Sequence, residues 1–284
     1  MPESSLRVGG RASWSGIYFR DPDDAGLAAE EVSISTSYGP APAWLIRSSH
    51  GGHVGWAIHI HGLASPRAGT LRGVQVVAEM GFDSLVVTYR NDGEGSTVGA
   101  GRSTLGARET DDVRAAVRFA VDQGAQRIVL FGWSMGAAIA LQLAAESEFK
   151  GVVGALVIDS PVLDWTATIN ANCARAGLPS WVGILARPWL RRRALAAVVG
   201  LDGPIPLDRF NWIERAVDLS VPTLILHGSD DRSAPIALSR RLAALRPDTV
   251  RLETFASDHT MPWNSDPQRW QSVVGDWLVH VRTA

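Results

Sequence analysis

In this 284-residue chain, the residue whose context most clearly indicates a chemical role is a serine flanked by two glycines. Ser134 stands in Gly132-Trp133-Ser134-Met135-Gly136, after an apolar run (127–131) that predicts a strand and before strong helix formers (137–145) that predict a helix. A strand-to-helix turn of this kind holds the serine Oγ at the carboxyl end of the strand, where a substrate can reach it. The alternative is a glycine-rich turn with an incidental serine. We predict that Ser134 is a nucleophile.

A serine hydroxyl becomes a good nucleophile only when a base takes its proton, and that base is usually a histidine oriented by an acid. His259 follows the last predicted strand, in a loop (256–262) from which its ring can reach across to Ser134. We therefore predict that His259 is the base. Structural roles explain the other histidines better: His50, His53, His59, His61, His227 and His280.

The acid that orients His259 is predicted in the loop after the second-last strand. The run His227-Gly228-Ser229-Asp230-Asp231 offers Asp230 or Asp231, and the spacing alone leaves both open. Asp159, at the end of an earlier predicted strand, is a less favoured third candidate. The chain order serine, aspartate, histidine is the one expected for a nucleophile on a strand-turn-helix.

The oxyanion that forms during attack needs two hydrogen-bond donors. One is predicted to be the backbone N–H of Met135, directly after the nucleophile. For the other we choose the N–H of Leu63, in the loop (61–65) after the third predicted strand. This chemistry needs no metal and no organic cofactor, and we predict neither.

Strand and helix patterns alternate along most of the chain, which predicts an α/β fold with a mostly parallel sheet and helices on both faces. Ligands of such sheets bind at the carboxyl ends of the strands. There are eight predicted strands, at 31–36, 43–47, 56–60, 84–89, 127–131, 152–158, 222–227 and 250–255.

The alternation is interrupted after the sixth predicted strand. Residues 161–219 carry several prolines and four tryptophans, and they predict two to four short helices that form a cap over the active site. The alternative is a helical excursion packed elsewhere. Residues 1–30 are polar and predict an N-terminal arm, which Trp14, Ile17, Tyr18 and Phe19 could attach to the body. The predicted core is then 31–160 and 220–284.

Composition excludes some classes of function. The formal net charge of −2 gives no electrostatic case for binding nucleic acid or an anionic membrane. No window approaches the ~18 uninterrupted apolar residues of a membrane span. The only cysteine, Cys173, cannot form an intramolecular disulfide, and the first residues lack the apolar core of a signal peptide, so we expect a cytoplasmic protein.

Five stretches together resemble the α/β-hydrolase superfamily, in particular its capped serine esterase and lipase branch, with serine aminopeptidase-like and monoacylglycerol-lipase-like members. They are IHIHGLASPR (58–67), VTYRNDGEGS (87–96), FGWSMGAAIALQLA (131–144), PTLILHGSDDRSAP (222–235) and SDHTMPW (257–263). The resemblance covers nearly all of residues 31–282 and implies the α/β-hydrolase fold. It implies Ser134 as nucleophile, His259 as base and Asp231 as acid, since the family's aspartate stands three residues after the glycine of the acid loop. Two departures are Ala137, where the family often has glycine, and Ala234, where valine is usual.

These observations predict a serine hydrolase that cleaves a small-molecule carboxylic ester through an acyl-enzyme. The tryptophans of the predicted cap favour an apolar acyl or aryl group, although tryptophan in a cap is as often plain packing. An amide, peptide or thioester hydrolase using the same three residues is the first rival, and a non-catalytic ligand-binding protein on this fold is the second. The oligomeric state does not follow from the sequence.

Overall fold

The computed structural model describes residues 16–48 and 54–283, and its centre is one eight-stranded sheet. The strand order is β1-β2-β4-β3-β5-β6-β7-β8; β1 and β2 run antiparallel, β2 and β4 run antiparallel, and all later pairs are parallel. The strands are β1 (Glu30–Thr36), β2 (Gly39–Ile46), β3 (Gly55–Ile60), β4 (Phe82–Val87), β5 (Ile128–Trp133), β6 (Val153–Asp159), β7 (Thr223–Gly228) and β8 (Val250–Phe255). The predicted eight-stranded, mostly parallel sheet is confirmed.

Alternating side chains of the central strands fill two cores, one on each face of the sheet. On β5, Ile128 and Leu130 point to the face covered by α2 and α3, while Val129 and Phe131 point to the face covered by α1 and α9. The helices of the core are α1 (Leu71–Glu79), α2 (Glu109–Asp122), α3 (Met135–Ala144), α7 (Ile236–Leu245), α8 (Pro262–Ser265) and α9 (Pro267–Thr283). Burial on both faces explains the near-continuous apolar runs of these strands.

The segment between β6 and β7 contains helices only, as predicted for an insertion after the sixth strand. It carries α4 (Trp165–Arg175), α5 (Ser180–Arg191) and α6 (Arg193–Val198), followed by two 3₁₀ turns (Leu207–Phe210 and Ala216–Asp218). We call residues 161–219 the helical insertion. Its two ends pack into the main core through Trp165 and Trp212, so only its middle stands away from the sheet.

The sequence pattern predicts helices over 67–80 and 105–121, and both α-helices begin later in the structure. The helix expected from Leu105 begins at Glu109, because Leu105 and Gly106 adopt positive φ and the Glu109 carboxylate accepts the backbone N–H groups of Thr104 and Gly106. The helix expected over 67–80 begins as a 3₁₀ turn and becomes α-helical at Leu71.

The described part of the predicted N-terminal arm packs against the body. Tyr18 and Phe19 contact the Trp263 ring at centroid distances of 5.3 Å and 6.0 Å. Trp14, His50 and His53 lie outside the described residues. Within 16–48 and 54–283, no helix combines the length and the apolar character that crossing a membrane requires.

Candidate active site

The strand-to-helix turn between β5 and α3 holds Ser134 in a strained conformation. Ser134 has φ 53° and ψ −111°, a region that side-chain-bearing residues rarely adopt. A Cβ on Gly136 would overlap the carbonyl oxygens of Ile60 and His61, and a Cβ on Gly132 would overlap the backbone of Ala137. Both glycines are therefore required by close backbone approach, and they allow the turn to present the Ser134 hydroxyl at the carboxyl edge of the sheet.

The structure brings His259 and Asp231 to Ser134 in a continuous chain of hydrogen bonds. His259 Nε2 lies 2.9 Å from Ser134 Oγ, and His259 Nδ1 lies 2.7 Å from Asp231 Oδ2. A carboxylate only accepts, so Nδ1 carries the proton of the neutral ring and Nε2 is left to accept from the serine hydroxyl. This is the arrangement in which an imidazole can act as a base toward a serine.

Asp231 is held as an ionised carboxylate at the end of this chain. Its side chain has no exposure to solvent, and Oδ1 accepts the backbone N–H groups of Ser233 and Ala234, both at 2.8 Å. Burial raises the pKa of Asp231, but hydrogen bonds from His227 and His259 outweigh it, so the pKa lies well below the usual value. The other two acid candidates do not reach His259: Asp230 is exposed, and Asp159 is bonded to Trp270 and Ser160.

A second histidine, His227, contacts the same carboxylate and was not expected to do so. Its Nε2 lies 3.0 Å from the Ala234 carbonyl oxygen and 3.2 Å from Asp231 Oδ2. Both are acceptors, so Nε2 carries the proton, and Nδ1 of the neutral ring accepts from the Ser239 hydroxyl at 2.8 Å. The sequence signal is a histidine at the end of a strand, four residues before the acid, for which the pattern predicts only a structural role.

The two predicted oxyanion donors lie on either side of the nucleophile. Met135 is the first residue of α3, where backbone N–H groups have no acceptor within the helix. The loop that carries Leu63 packs on the turn, since a Cβ on Gly62 would stand 3.2 Å from Ser134 Cβ. Leu63 itself is 46% exposed and lines the cavity next to Ser134.

Buried polar side chains fix the Leu63 loop through hydrogen bonds on the side away from the cavity. The Tyr89 hydroxyl lies 3.0 Å from the carbonyl oxygens of His61 and Gly62, and His61 Nε2 donates to Asp92 Oδ2 at 3.0 Å. Burial, with the nearby charges of Asp92 and Glu109, raises the pKa of Tyr89 well above its usual value, so its hydroxyl remains a donor. In the sequence, Asp92 stands out only as part of the family-like stretch VTYRNDGEGS (87–96).

Ser134 and His259 open onto a cavity of about 390 Å³. Its described lining residues include one carboxylate, Asp258, and two arginines, Arg72 and Arg175. No tryptophan of the helical insertion is among them. The remaining lining residues are Ile17, His61, Leu63, Ala64, Ser65, Gly69, Thr70, Trp133, Ser233, Thr260 and Met261.

Arg72 joins three segments of the cavity wall. Its side chain donates to the carbonyl oxygens of Gly16, Gly69 and Thr260, at 3.0–3.1 Å, and to Asn264. Burial lowers the pKa of Arg72, and the charge of Asp159 partly opposes this. The arginine thus connects the N-terminal segment with the loop that carries His259. Among the described residues, no group of three or more histidine, cysteine or acidic side chains is placed to hold a metal ion.

Comparison with known proteins gives one family. The model of the Alpha/beta hydrolase family matches residues 50–270. Protein ABHD12B of Homo sapiens is 29% identical over 201 residues, covering 68% of this chain and 50% of that protein, so the chain spans half the length of this relative. The uncharacterized protein YfhR of Escherichia coli K12 is 27% identical over 243 residues, covering 83% of this chain and 73% of that protein.

Solved structures agree with the architecture. The esterase Pf2001 of Pyrococcus furiosus superposes with a TM-score of 0.70 at 21% identity, covering 93% of this chain and 97% of that one. At this identity the likeness shows the fold alone.

Proposed function

Because the chain belongs to the alpha/beta hydrolase family, we propose that it is a serine hydrolase that cleaves carboxylic esters through an acyl-enzyme. The observation that carries the proposal is the unbroken chain of hydrogen bonds from Ser134 through His259 to Asp231. In the proposed mechanism Ser134 is the nucleophile, His259 is the base, and the ionised Asp231 orients His259.

In the proposed first half-reaction, Ser134 Oγ attacks the ester carbonyl carbon while His259 Nε2 takes its proton. The C=O π pair moves to the oxygen, which the N–H groups of Met135 and Leu63 would stabilise. The intermediate then expels the alcohol oxygen, which receives the proton from His259. An ester between Ser134 and the acyl group remains, and the alcohol leaves.

In the proposed second half-reaction, water takes the place of the alcohol. His259 removes a proton from the water as it attacks the acyl carbon, and the new tetrahedral intermediate expels Ser134 Oγ, which His259 reprotonates. The carboxylic acid leaves and the enzyme returns to its starting state. Asp231 stays ionised throughout and stabilises the imidazolium that forms twice in each cycle.

The charges of the cavity favour an ester over the amide of a free amino acid. A substrate with a cationic amino group needs carboxylates to receive it, because a desolvated ammonium without a partner is costly. Asp258 is the only carboxylate among the described lining residues, and its Oδ1 already accepts the backbone N–H groups of Arg232 and His259. Arg72 and Arg175 add positive charge to the same cavity.

The proposal is tested with p-nitrophenyl esters from acetate to palmitate, using the wild type, Ser134→Ala and a matched control, Ser272→Ala, on the surface of α9. We expect turnover by the wild type and the control, and its loss in Ser134→Ala. A cavity of about 390 Å³ lies near the lower end of small-molecule sites, so the rate is expected to peak at a short or medium acyl chain.

Three outcomes would contradict the proposal. Ester turnover that survives in Ser134→Ala would exclude Ser134 as the nucleophile. A preference for aminoacyl p-nitroanilides over every ester would favour the amide hydrolase, and failure of a fluorophosphonate to label Ser134 would favour a non-catalytic binding protein.

A further inference from the structure

Helix α5 in the middle of the helical insertion exposes an apolar stripe to solvent. Trp181 is 57% exposed, Leu185 61% and Ile184 56%. Positions 181, 184, 185 and 188 share one face of a helix, and position 189 borders it. We call the exposed apolar set the docking face: Leu178, Trp181, Ile184, Leu185 and Trp189.

The opposite side of α5 shows that this exposure is a property of the sequence and not of an unpacked helix. Gly183 is buried against Asn170 of α4, and Leu190 packs on the main core. The helix is therefore packed on one side, with its two tryptophans, Ile184 and Leu185 exposed on the other. A soluble monomer rarely exposes a contiguous apolar patch of this kind without an interaction to make there.

Along the chain, the segment that carries the docking face has charge of one sign. Residues 165–201 contain no aspartate, glutamate, lysine or histidine, and their five charged residues are Arg175, Arg187, Arg191, Arg192 and Arg193. Arg192 and Arg193 are exposed directly after α5, while Arg191 forms an ion pair with Asp208 at 2.6 Å. The net charge of the whole chain, −2, hides this local excess of positive charge.

We propose that the docking face binds an anionic lipid surface, with α5 lying in the plane of the interface. Tryptophan, leucine and isoleucine on one side and arginine at the edges are what such a surface takes up, since the apolar side chains enter the acyl boundary and the arginines meet the headgroups. A second copy of the chain fits less well, because residues 165–201 contain no carboxylate that could meet the arginines of the facing copy.

The position of α5 connects this surface with the candidate active site. Helix α4, which precedes α5, ends at Arg175 in the wall of the cavity, and the Asn172 side chain of α4 donates to the carbonyl oxygen of Ser233 in the acid loop. A lipid surface on the docking face would thus lie on the same insertion that contributes Arg175 to the wall of the cavity. The inference concerns binding and holds whether or not the proposed ester hydrolysis does.

The test is flotation of the full chain, carrying Ser134→Ala so that no lipid ester is consumed, with vesicles of phosphatidylcholine alone or with phosphatidylglycerol added. We expect binding to the anionic vesicles that weakens with salt, and its loss in Trp181→Ser/Leu185→Ser. Arg192→Gln/Arg193→Gln should weaken binding about 30-fold, since each arginine near an anionic surface contributes a factor of about five. The matched controls, Val217→Ser and Arg240→Gln/Arg241→Gln, are equally exposed elsewhere and should bind as the parent does.

Melting temperatures of all variants, and turnover of a soluble ester in the active background, separate lost docking from lost folding. The proposal is overturned if the parent does not float with anionic vesicles, or floats equally with neutral ones. It is also overturned if sedimentation shows a dimer that Trp181→Ser/Leu185→Ser dissociates while vesicles remain unbound, because the docking face is then a contact between copies.

Discussion

At the scale of single residues, the candidate site is set by a carboxylate shared between two histidines. Asp231 Oδ2 lies 2.7 Å from His259 Nδ1 and 3.2 Å from His227 Nε2, inside a pocket closed to solvent. The proton on His227 Nε2 offsets part of the negative charge that His259 would otherwise receive alone. His227 is therefore a positioning residue in the proposed mechanism, because it acts on the substrate only through Asp231 and His259.

We expect His227→Leu to lower kcat/KM by about tenfold or more, because the Asp231 carboxylate loses a donor to a buried charge. Without that donor the carboxylate pairs more strongly with the protonated His259 ring, so the acidic limb of the pH profile should move to higher pH. His227→Gln keeps an N–H near the Nε2 position and should restore most of the rate and the limb. A loss of rate with an unmoved limb in His227→Leu would indicate a merely structural role.

At the scale of elements, the site forms where the loops after β3, β5, β7 and β8 meet at one edge of the sheet. Each loop is fixed by contacts with the next. The Ser229 N–H of the acid loop donates to the Phe255 carbonyl oxygen at the end of β8, and the Asp230 N–H donates to that of Ser257. The Leu63 loop lies against the Ser134 turn and is held by Tyr89. Parallel strands make this convergence unavoidable, because all their carboxyl ends point the same way.

Tyr89→Phe tests whether the Tyr89 hydroxyl positions the Leu63 loop. Removing the hydroxyl takes away its contacts with His61 Nδ1 at 2.9 Å and with the carbonyl oxygens of His61 and Gly62 at 3.0 Å, so the Leu63 N–H loses its fixed position. A donor that acts on the oxyanion contributes mainly to the transition state, so kcat should fall about tenfold with little change in KM. Tyr38→Phe, on the exposed tip of the β1–β2 hairpin, is the matched control. An unchanged kcat with a raised KM in Tyr89→Phe would contradict this role.

At the scale of the whole molecule, acid sensitivity is built into the centre of the sheet. His59 on β3 is fully buried, stacked at 4.8 Å on the Phe131 ring and bonded to the Ser84 hydroxyl at 3.2 Å. Burial lowers the pKa of His59 to about 3. In the unfolded chain the pKa of this histidine is near ~6.5, so the unfolded chain binds a proton that the buried His59 ring of the folded chain does not bind. The stability of the fold therefore falls as the pH drops from ~6.5 toward 3.

His59→Phe should remove this part of the acid sensitivity while keeping a ring in the stack. Between pH 6 and pH 4, the free energy of unfolding of the wild type should fall more steeply than that of the variant, by up to about 1.4 kcal/mol per pH unit. Urea denaturation at pH 7, 6, 5 and 4 measures both slopes. A difference between the two proteins that stays constant over this range would show that His59 does not refuse the proton.

The sequence by itself determined the eight strands, their mostly parallel sheet and the helical insertion, because strands that are buried on both faces have long apolar runs. It also indicated the turn at Ser134, because only glycine fits where two backbone segments approach closely. It also placed Ser134, His259 and an acid after the second-last strand, since parallel strands bring their ends to one edge. Helix starts were missed where a side chain such as Glu109 satisfies amides upstream, which no periodicity records.

Only the tertiary structure decided which groups meet across the sheet. It placed Asp231 against His259, as the family resemblance implies and the spacing alone leaves open, and it made His227 and Tyr89 supports of the site, because these contacts join loops that are far apart in the chain. It also turned the tryptophans of the insertion in two directions: Trp165 and Trp212 into the core, Trp181 and Trp189 to solvent. The number of tryptophans in the sequence does not tell a buried tryptophan from an exposed one. The direction in which each side chain points depends on what its helix packs against.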